Sequence, residues 1–159
     1  LEGHHRDIGV IELDPNDGEA APGRRAGCEA YLEQAGIPWS TVHVAVGHGT
    51  TRGGYAAAAR LLTDHPWMTG LVCGNDRMAM GAYDAIREQG LRVREDVAVI
   101  GVDDQELIAD QVHPALTTVA LPFEEMGQVA VSHLLDLMEG EAVPAETLLP
   151  GQIVRRSSA

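Results

Sequence analysis

Short runs of consecutive apolar residues alternate along this chain with longer stretches in which apolar positions recur every three or four residues. "DIGVIEL" (7–13), "TVHVAV" (41–46), "TGLVCG" (69–74), "DVAVIGV" (96–102) and "LTTVAL" (116–121) are of the first kind and read as strands. The second kind predicts helices over Arg24–Gln34, from "YAAAARLL" (55–62), over Asp76–Gln89 and over Phe123–Met138. In the first helix Ala26, Cys28, Ala30 and Tyr31 are expected to face inward, with Gly36 at the C-cap position. In the last, Met126, Val129, Ala130, His133, Leu134 and Leu137 fall near one face. The ending "ETLLPGQIVRR" reads as extended chain.

Strands that alternate with helices of this length build βαβ crossovers, and hence a parallel sheet covered on both faces. Uninterrupted apolar runs such as "VAVIGV" suit strands buried on both sides. The expected fold is therefore α/β: a doubly wound parallel sheet with helices on both faces.

Composition narrows the functional classes. With 159 residues, 45% of them hydrophobic and 22% charged, the chain can bury a substantial core. A formal charge of −13 repels phosphate, so this segment by itself is not expected to hold DNA or an anionic membrane. No apolar run approaches the ~20 residues of a spanning helix. Because the chain begins with Leu and its first strand follows within a few residues, it reads as a fragment of a longer protein. Cys28 and Cys73 lack metal-ligand spacing and are expected to be reduced core thiols.

In doubly wound sheets, ligands bind beyond the carboxyl ends of the strands. That rule selects the loops 14–24, 47–54, 74–76 and 102–106. Arg24 and Arg25 stand where a helix N-terminus disfavours cations, so one of them is either a solvated surface residue or a grip on a ligand. The acidic stretch Asp14–Glu19 lacks calcium-loop spacing and reads as an ordinary loop. "GHGTTRGG" (47–54) misses the dinucleotide fingerprint by one place and reads as a loop entering a helix. Asn75 and Asp76 are either helix caps or ligand contacts, and Asp103 with Asp104 are either turn formers or acceptors for ligand hydroxyls. The seven histidines are scattered, with His43 and His133 expected to pack or line a rim. No nucleophile elbow, zinc helix or cysteine–histidine constellation is present, so the chain is not expected to be an enzyme, and no cofactor or metal is expected.

Three segments, "GNDRMAMGAYDAIREQGLRVREDVAVIGVDD", "HPALTTVALPFEEMGQVAVSHLLDLMEGE" and "LLPGQIVRRSSA", closely resemble the effector-binding domain of LacI/GalR-family transcription regulators. "PGRRAGCEAYLEQAGI" and "GGYAAAARLL" resemble the preceding helices of that family, so the match spans nearly the whole chain. The resemblance implies a two-lobed periplasmic-binding-protein-like domain that binds a small polar effector, a sugar or nucleoside-like molecule. Operator DNA would be read only by an N-terminal helix-turn-helix missing here, in a cytoplasmic homodimer without membrane contact. Residues 1–118 would form the C-terminal lobe, and residues 119–159 would cross to the N-terminal lobe and return.

Residue by residue, the resemblance places Arg24, Asn75, Asp103 and Phe123 at effector-contacting positions. Gly49 stands where the family commonly has an aromatic, which removes a stacking surface, and Leu121 replaces a residue that is polar in some members. Met78, Ala82 and Tyr83, with strand 97–101, fall where dimer contacts are suggested, although the same positions can fill the lobe's own core. A sugar-binding receptor of an import system shares this fold and is the alternative reading; an enzyme of the same sheet class is a third.

Overall fold

The computed structural model describes residues 5–16 and 20–159. Asp17, Gly18 and Glu19 of the acidic loop lie outside the described residues, as do residues 1–4. The chain forms one sheet from β1 (Ile8–Glu12), β2 (His43–Val46), β3 (Gly70–Cys73), β4 (Ala98–Asp103), β5 (Thr117–Ala120) and β6 (Gln152–Val154). Their order is β2-β1-β3-β4-β5-β6; β1 to β5 run parallel, and β6 pairs antiparallel with β5, Thr118 opposite Val154. Among the described residues four α-helices join them: α1 (Ala20–Gln34), α2 (Thr51–Asp64), α3 (Asp76–Glu88) and α4 (Phe123–Met138). Among the described residues no helix is long and apolar enough to cross a membrane.

Every residue of β1 is buried because two separate cores meet on it. Ile11 joins Leu61, Leu71, Met78, Ile86 and Val99 on the side of α2 and α3. Ile8 and Val10 join Leu32, Ile37 and Val42 on the side of α1. The continuous apolar runs in the sequence are thus strands covered on both faces.

The glycine-rich segment 47–54 differs from expectation: α2 begins at Thr51, so half of it is helix rather than loop. Thr50 caps that helix, its Oγ1 accepting from Gly53 N at 3.0 Å. The glycines answer to packing. A Cβ on Gly54 would stand 2.3 Å from the Met78 carbonyl oxygen, and one on Gly81 of α3 would stand 1.9 Å from that of Thr51. The two helices touch backbone to backbone, which a phosphate-loop reading does not require.

Two further expectations are corrected. Ala26, Ala30 and Tyr31 face solvent, while Ala21 and Leu32 are buried and Arg24 and Cys28 half-buried. The inward stripe of α1 runs Ala21, Arg24, Cys28, Leu32, and an arginine in that stripe hides its period from a search for apolar residues. Met78, Ala82 and Tyr83 are at most 1% exposed and belong to the chain's own core, as do Val97 and Val99. Tyr83 even spends its hydroxyl inward, donating to Pro114 O at 3.0 Å, and burial pushes its pKa up to about 12. These side chains have no surface to offer a second copy. Cys28 and Cys73 are both free thiols.

After β6 the chain folds back against the sheet. Ser158, fully buried, donates from Oγ to Val99 O at 2.6 Å and accepts from Thr117 N at 2.8 Å. Val99 N in turn donates to Ser158 O at 2.9 Å, so this residue joins the starts of β4 and β5.

Candidate functional site

The carboxyl ends of β1, β3 and β4 lie side by side in the sheet and deliver Glu12, Gly74 and Asp103 to one edge. Helix α1 lays Arg24 across them. Its Nη2 donates to Asp103 Oδ1 at 3.0 Å, and its Nη1 donates to the Gly74 carbonyl. Both side chains are largely enclosed, at 27% and 16% exposure, so the pair is shielded from salt more than a surface bridge. The guanidinium stands in the first turns of α1, where the helix dipole disfavours it. The carboxylate of Asp103 supplies the compensating charge.

Asp103 is held from its other side by Gln105, whose Nε2 donates to Oδ2 at 3.2 Å. Gln105 is itself fixed, because its backbone N–H donates to Asp76 Oδ2 at 2.8 Å. Asp76 is fully buried and accepts from Thr118 Oγ1 at 2.6 Å. Burial pushes its carboxyl pKa up, and the bonds from Thr118 and Gln105 oppose that shift. Gly101 leaves the room for it: a Cβ there would stand 2.2 Å from Asp76 Oδ1. A continuous chain of hydrogen bonds therefore runs from β5 through the start of α3 to Asp103 at the carboxyl edge of the sheet.

Backbone strain collects at the same edge. Asp103 and Asp104 have φ of 114° and 54°, in the left-handed region that side chains rarely adopt. Asp104 turns the opposite way from its neighbour and pairs with Arg156 Nη2 at 2.8 Å. Arg156 also donates from Nη1 to Leu116 O at 3.0 Å. The two consecutive aspartates thus serve different partners, one on α1 and one on the returning chain.

Asn75 caps α3, accepting from Met78 N at 2.9 Å, and its amide donates from Nδ2 to Gly49 O at 3.1 Å. It is 9% exposed, so it pins the β2–α2 loop to the start of α3. Gly49 there adopts φ of 64°, which suits glycine. The same loop is tied to the one after β1 by His48 Nδ1 and Asp14 Oδ2 at 3.0 Å. Asp14 has its pKa lowered, first by the hydrogen bonds from Asn16 and then by His48.

Of the four positions singled out, the structure joins Arg24 directly to Asp103 and seats Asn75 next to Gly74. Phe123 stands apart at 60% exposure, in an open recess with Leu121, Pro122, Glu124, Glu125 and Gln128. Sequence reasoning passed over Gln105 and Glu12. Gln105 lay inside a loop already selected, but nothing local distinguishes a residue that steadies an aspartate from any polar loop residue. Glu12 carried a signal: a charge closing an apolar strand run. Among the described residues no group of three or more His, Cys, Asp or Glu is arranged to hold a metal ion.

The arrangement offers a charge-assisted donor, a carboxylate and an amide around a strand-end crevice, with no nucleophile positioned against a base. That is equipment for gripping a polar molecule. Comparison with known proteins agrees. A family model described as periplasmic binding protein-like domain matches residues 1–159. The HTH-type transcriptional repressor PurR of Yersinia pestis is 39% identical over 163 residues, covering 100% of this chain and 47% of the relative. The chain thus spans about half the length of the curated relatives it matches.

Among solved structures, the Lac repressor dimer bound to operator and the anti-inducer ONPF superposes with a TM-score of 0.89. It is 34% identical, over 98% of this chain and 53% of that one. A LacI family regulator from Enterococcus faecium with bound ribose gives a TM-score of 0.86 at 29% identity, over 99% and 58% of the two chains. These relatives are repressors and regulators rather than enzymes. The chain belongs to the periplasmic binding protein-like domain family, among the effector-binding domains of LacI-family regulators.

Proposed function

We propose that this chain is the effector-sensing portion of a transcriptional repressor, which binds a small hydroxylated molecule and thereby controls operator binding by a preceding helix-turn-helix. The carrying observation is the Arg24–Asp103 pair, braced by Gly74 and Gln105 at the carboxyl edge of the sheet. A sugar offers vicinal hydroxyls that donate to Asp103 and accept from Arg24, and the ribose-bound relative supports that chemistry. A nucleoside-like effector uses the same two groups. Glycine at position 49, bonded through its carbonyl to Asn75, leaves no aromatic face there for either a planar base or a pyranose ring.

Residues 1–118 act as one lobe, and 119–159 cross to a second lobe and return. The exposure of α4 supports this division, because no residue of that helix is buried. Phe123 at its start then meets the ligand from the far side of the cleft. The protein works as a cytoplasmic homodimer, in keeping with the dimeric Lac repressor, and its DNA contact lies outside this acidic chain. Binding of the effector shifts the equilibrium between lobe arrangements, and so the spacing of the DNA-reading heads.

In the full-length protein, Asp103→Ala is expected to abolish the effector response while operator binding persists. Calorimetry with D-ribose, D-glucose and D-galactose checks this. An affinity equal to wild type in that variant refutes the assignment.

A further inference from the structure

Glu12 closes β1 at the ligand edge of the sheet and is only 9% exposed. Arg25 Nη1 donates to its Oε2 at 3.3 Å, long for a bond between opposite charges. Its other oxygen, Oε1, is enclosed and meets no donor among the described residues. This side of β1 otherwise packs the apolar Ile8 and Val10 against Leu32 of α1, and the long contact with Arg25 leaves Oε1 unserved. A buried acceptor without a donor destabilises the folded state, and such a group persists where something else requires it.

Glu12 lines a cavity of about 40 Å³ between α1 and the sheet, together with Ala21, Arg24, Arg25, Cys28 and Gly74. Space of that size takes one small polar group and excludes a ring. Burial, and after it the charge of Glu12, push the Cys28 thiol pKa up, so that thiol stays neutral. Arg24 belongs both to this cavity and to the pair with Asp103. The cavity and the proposed effector grip therefore share the Arg24 side chain.

We propose that Glu12 is a specificity-determining residue: its free carboxylate oxygen accepts a hydrogen bond from one hydroxyl or amino substituent of the effector that enters the cavity beside Arg24. This rests on the effector-sensing reading and adds a selection rule to it. A ligand with a donor at that point is accepted. One with a methyl group leaves the oxygen unsatisfied, and one with an anionic group is repelled.

The test uses the full-length protein as wild type, Glu12→Gln, Glu12→Leu and Asp103→Ala. Each is titrated by calorimetry with D-ribose, D-glucose, D-galactose, their 2-deoxy counterparts, adenine and guanine. A probe that binds wild type is expected to lose about tenfold or more in affinity in Glu12→Leu, and less in Glu12→Gln, which keeps an acceptor oxygen. The ligand-free melting temperature of Glu12→Leu is expected to equal or exceed that of wild type. An affinity lost in Asp103→Ala but unchanged in Glu12→Leu overturns this inference and leaves the sensing reading standing. A lower ligand-free melting temperature in Glu12→Leu also overturns it, since the carboxylate then has a structural partner. If no probe binds wild type, the sensing reading fails for these ligand classes, and this inference with it.

Discussion

Helices α3 and α4 have similar lengths and opposite environments. Of the 13 residues of α3, eight are buried, including Met78, Ala82, Tyr83 and Ile86. Of the 16 residues of α4, none is buried, and Met126, Val131, Leu134, Leu135, Leu137 and Met138 are between 46% and 75% exposed. The sequences do not announce that difference, since α4 carries more large apolar side chains than α3. What separates them is the neighbour. Gly54 of α2 and Gly81 of α3 let those two helices approach to backbone contact, whereas among the described residues α4 meets no such partner. Apolar content marks a helix for burial, and small residues at matched positions let a neighbouring helix come close enough to supply it.

Three outcomes break or sharpen this contrast. The largest concerns the α2–α3 contact. Gly81→Val places a Cβ 1.9 Å from the Thr51 oxygen, and is expected to cost about 3 kcal/mol or more. Urea denaturation measures it, and an unchanged midpoint would show that the helices can part without loss. The second compares contexts. Leu134→Ala is expected to change the stability of the 159-residue chain by less than about 0.5 kcal/mol, and that of the full-length protein by about 2 kcal/mol. Equal costs in both would mean that α4 packs within this lobe after all.

The smallest concerns acid. His43 stacks on His65 with ring centroids 3.5 Å apart, at the amino ends of the strands. Burial, and then the charge of His65, lower the His43 pKa below its ordinary 6.5, against the pull of Asp7. The folded state therefore favours the neutral ring. That contribution is fully present above pH 6.5 and is lost as the pH falls through the lower folded value. Melting temperatures at pH 7.5 and pH 5 are expected to differ more for wild type than for His43→Phe. Equal drops in the two proteins would remove His43 from the acid response.

Much of the fold is legible in residue order. Four of the five parallel strands fall inside an apolar run, β4 runs one residue past its own to Asp103, and α4 spans the residues its periodicity predicts. Legibility ends where a residue's role depends on a distant partner. Arg24 interrupts the inward stripe of α1 because Asp103, far along the chain, is its counter-charge. Asn75 is well placed as a cap from local sequence alone, yet its second bond goes to Gly49, which local sequence cannot reveal. Asp76 looks like a cap as well, and instead reaches Thr118 across the sheet. At the site, the resemblance supplied the positions and the structure supplied the bracing by Gln105. Glu12 stands in plain view in the sequence, but only the enclosed, unserved oxygen of its carboxylate makes it notable.

Ser158 carries a consequence for synthesis. It bridges Val99 and Thr117, yet it follows them by the whole excursion through α4 and β6. A ribosome delivers this serine long after the five parallel strands have emerged. Until it arrives, the amide of Thr117 and both backbone groups of Val99 that it serves wait without these partners. These two strands thus complete their hydrogen bonding only after α4 and β6 have been made, which makes the order of translation part of how the sheet closes.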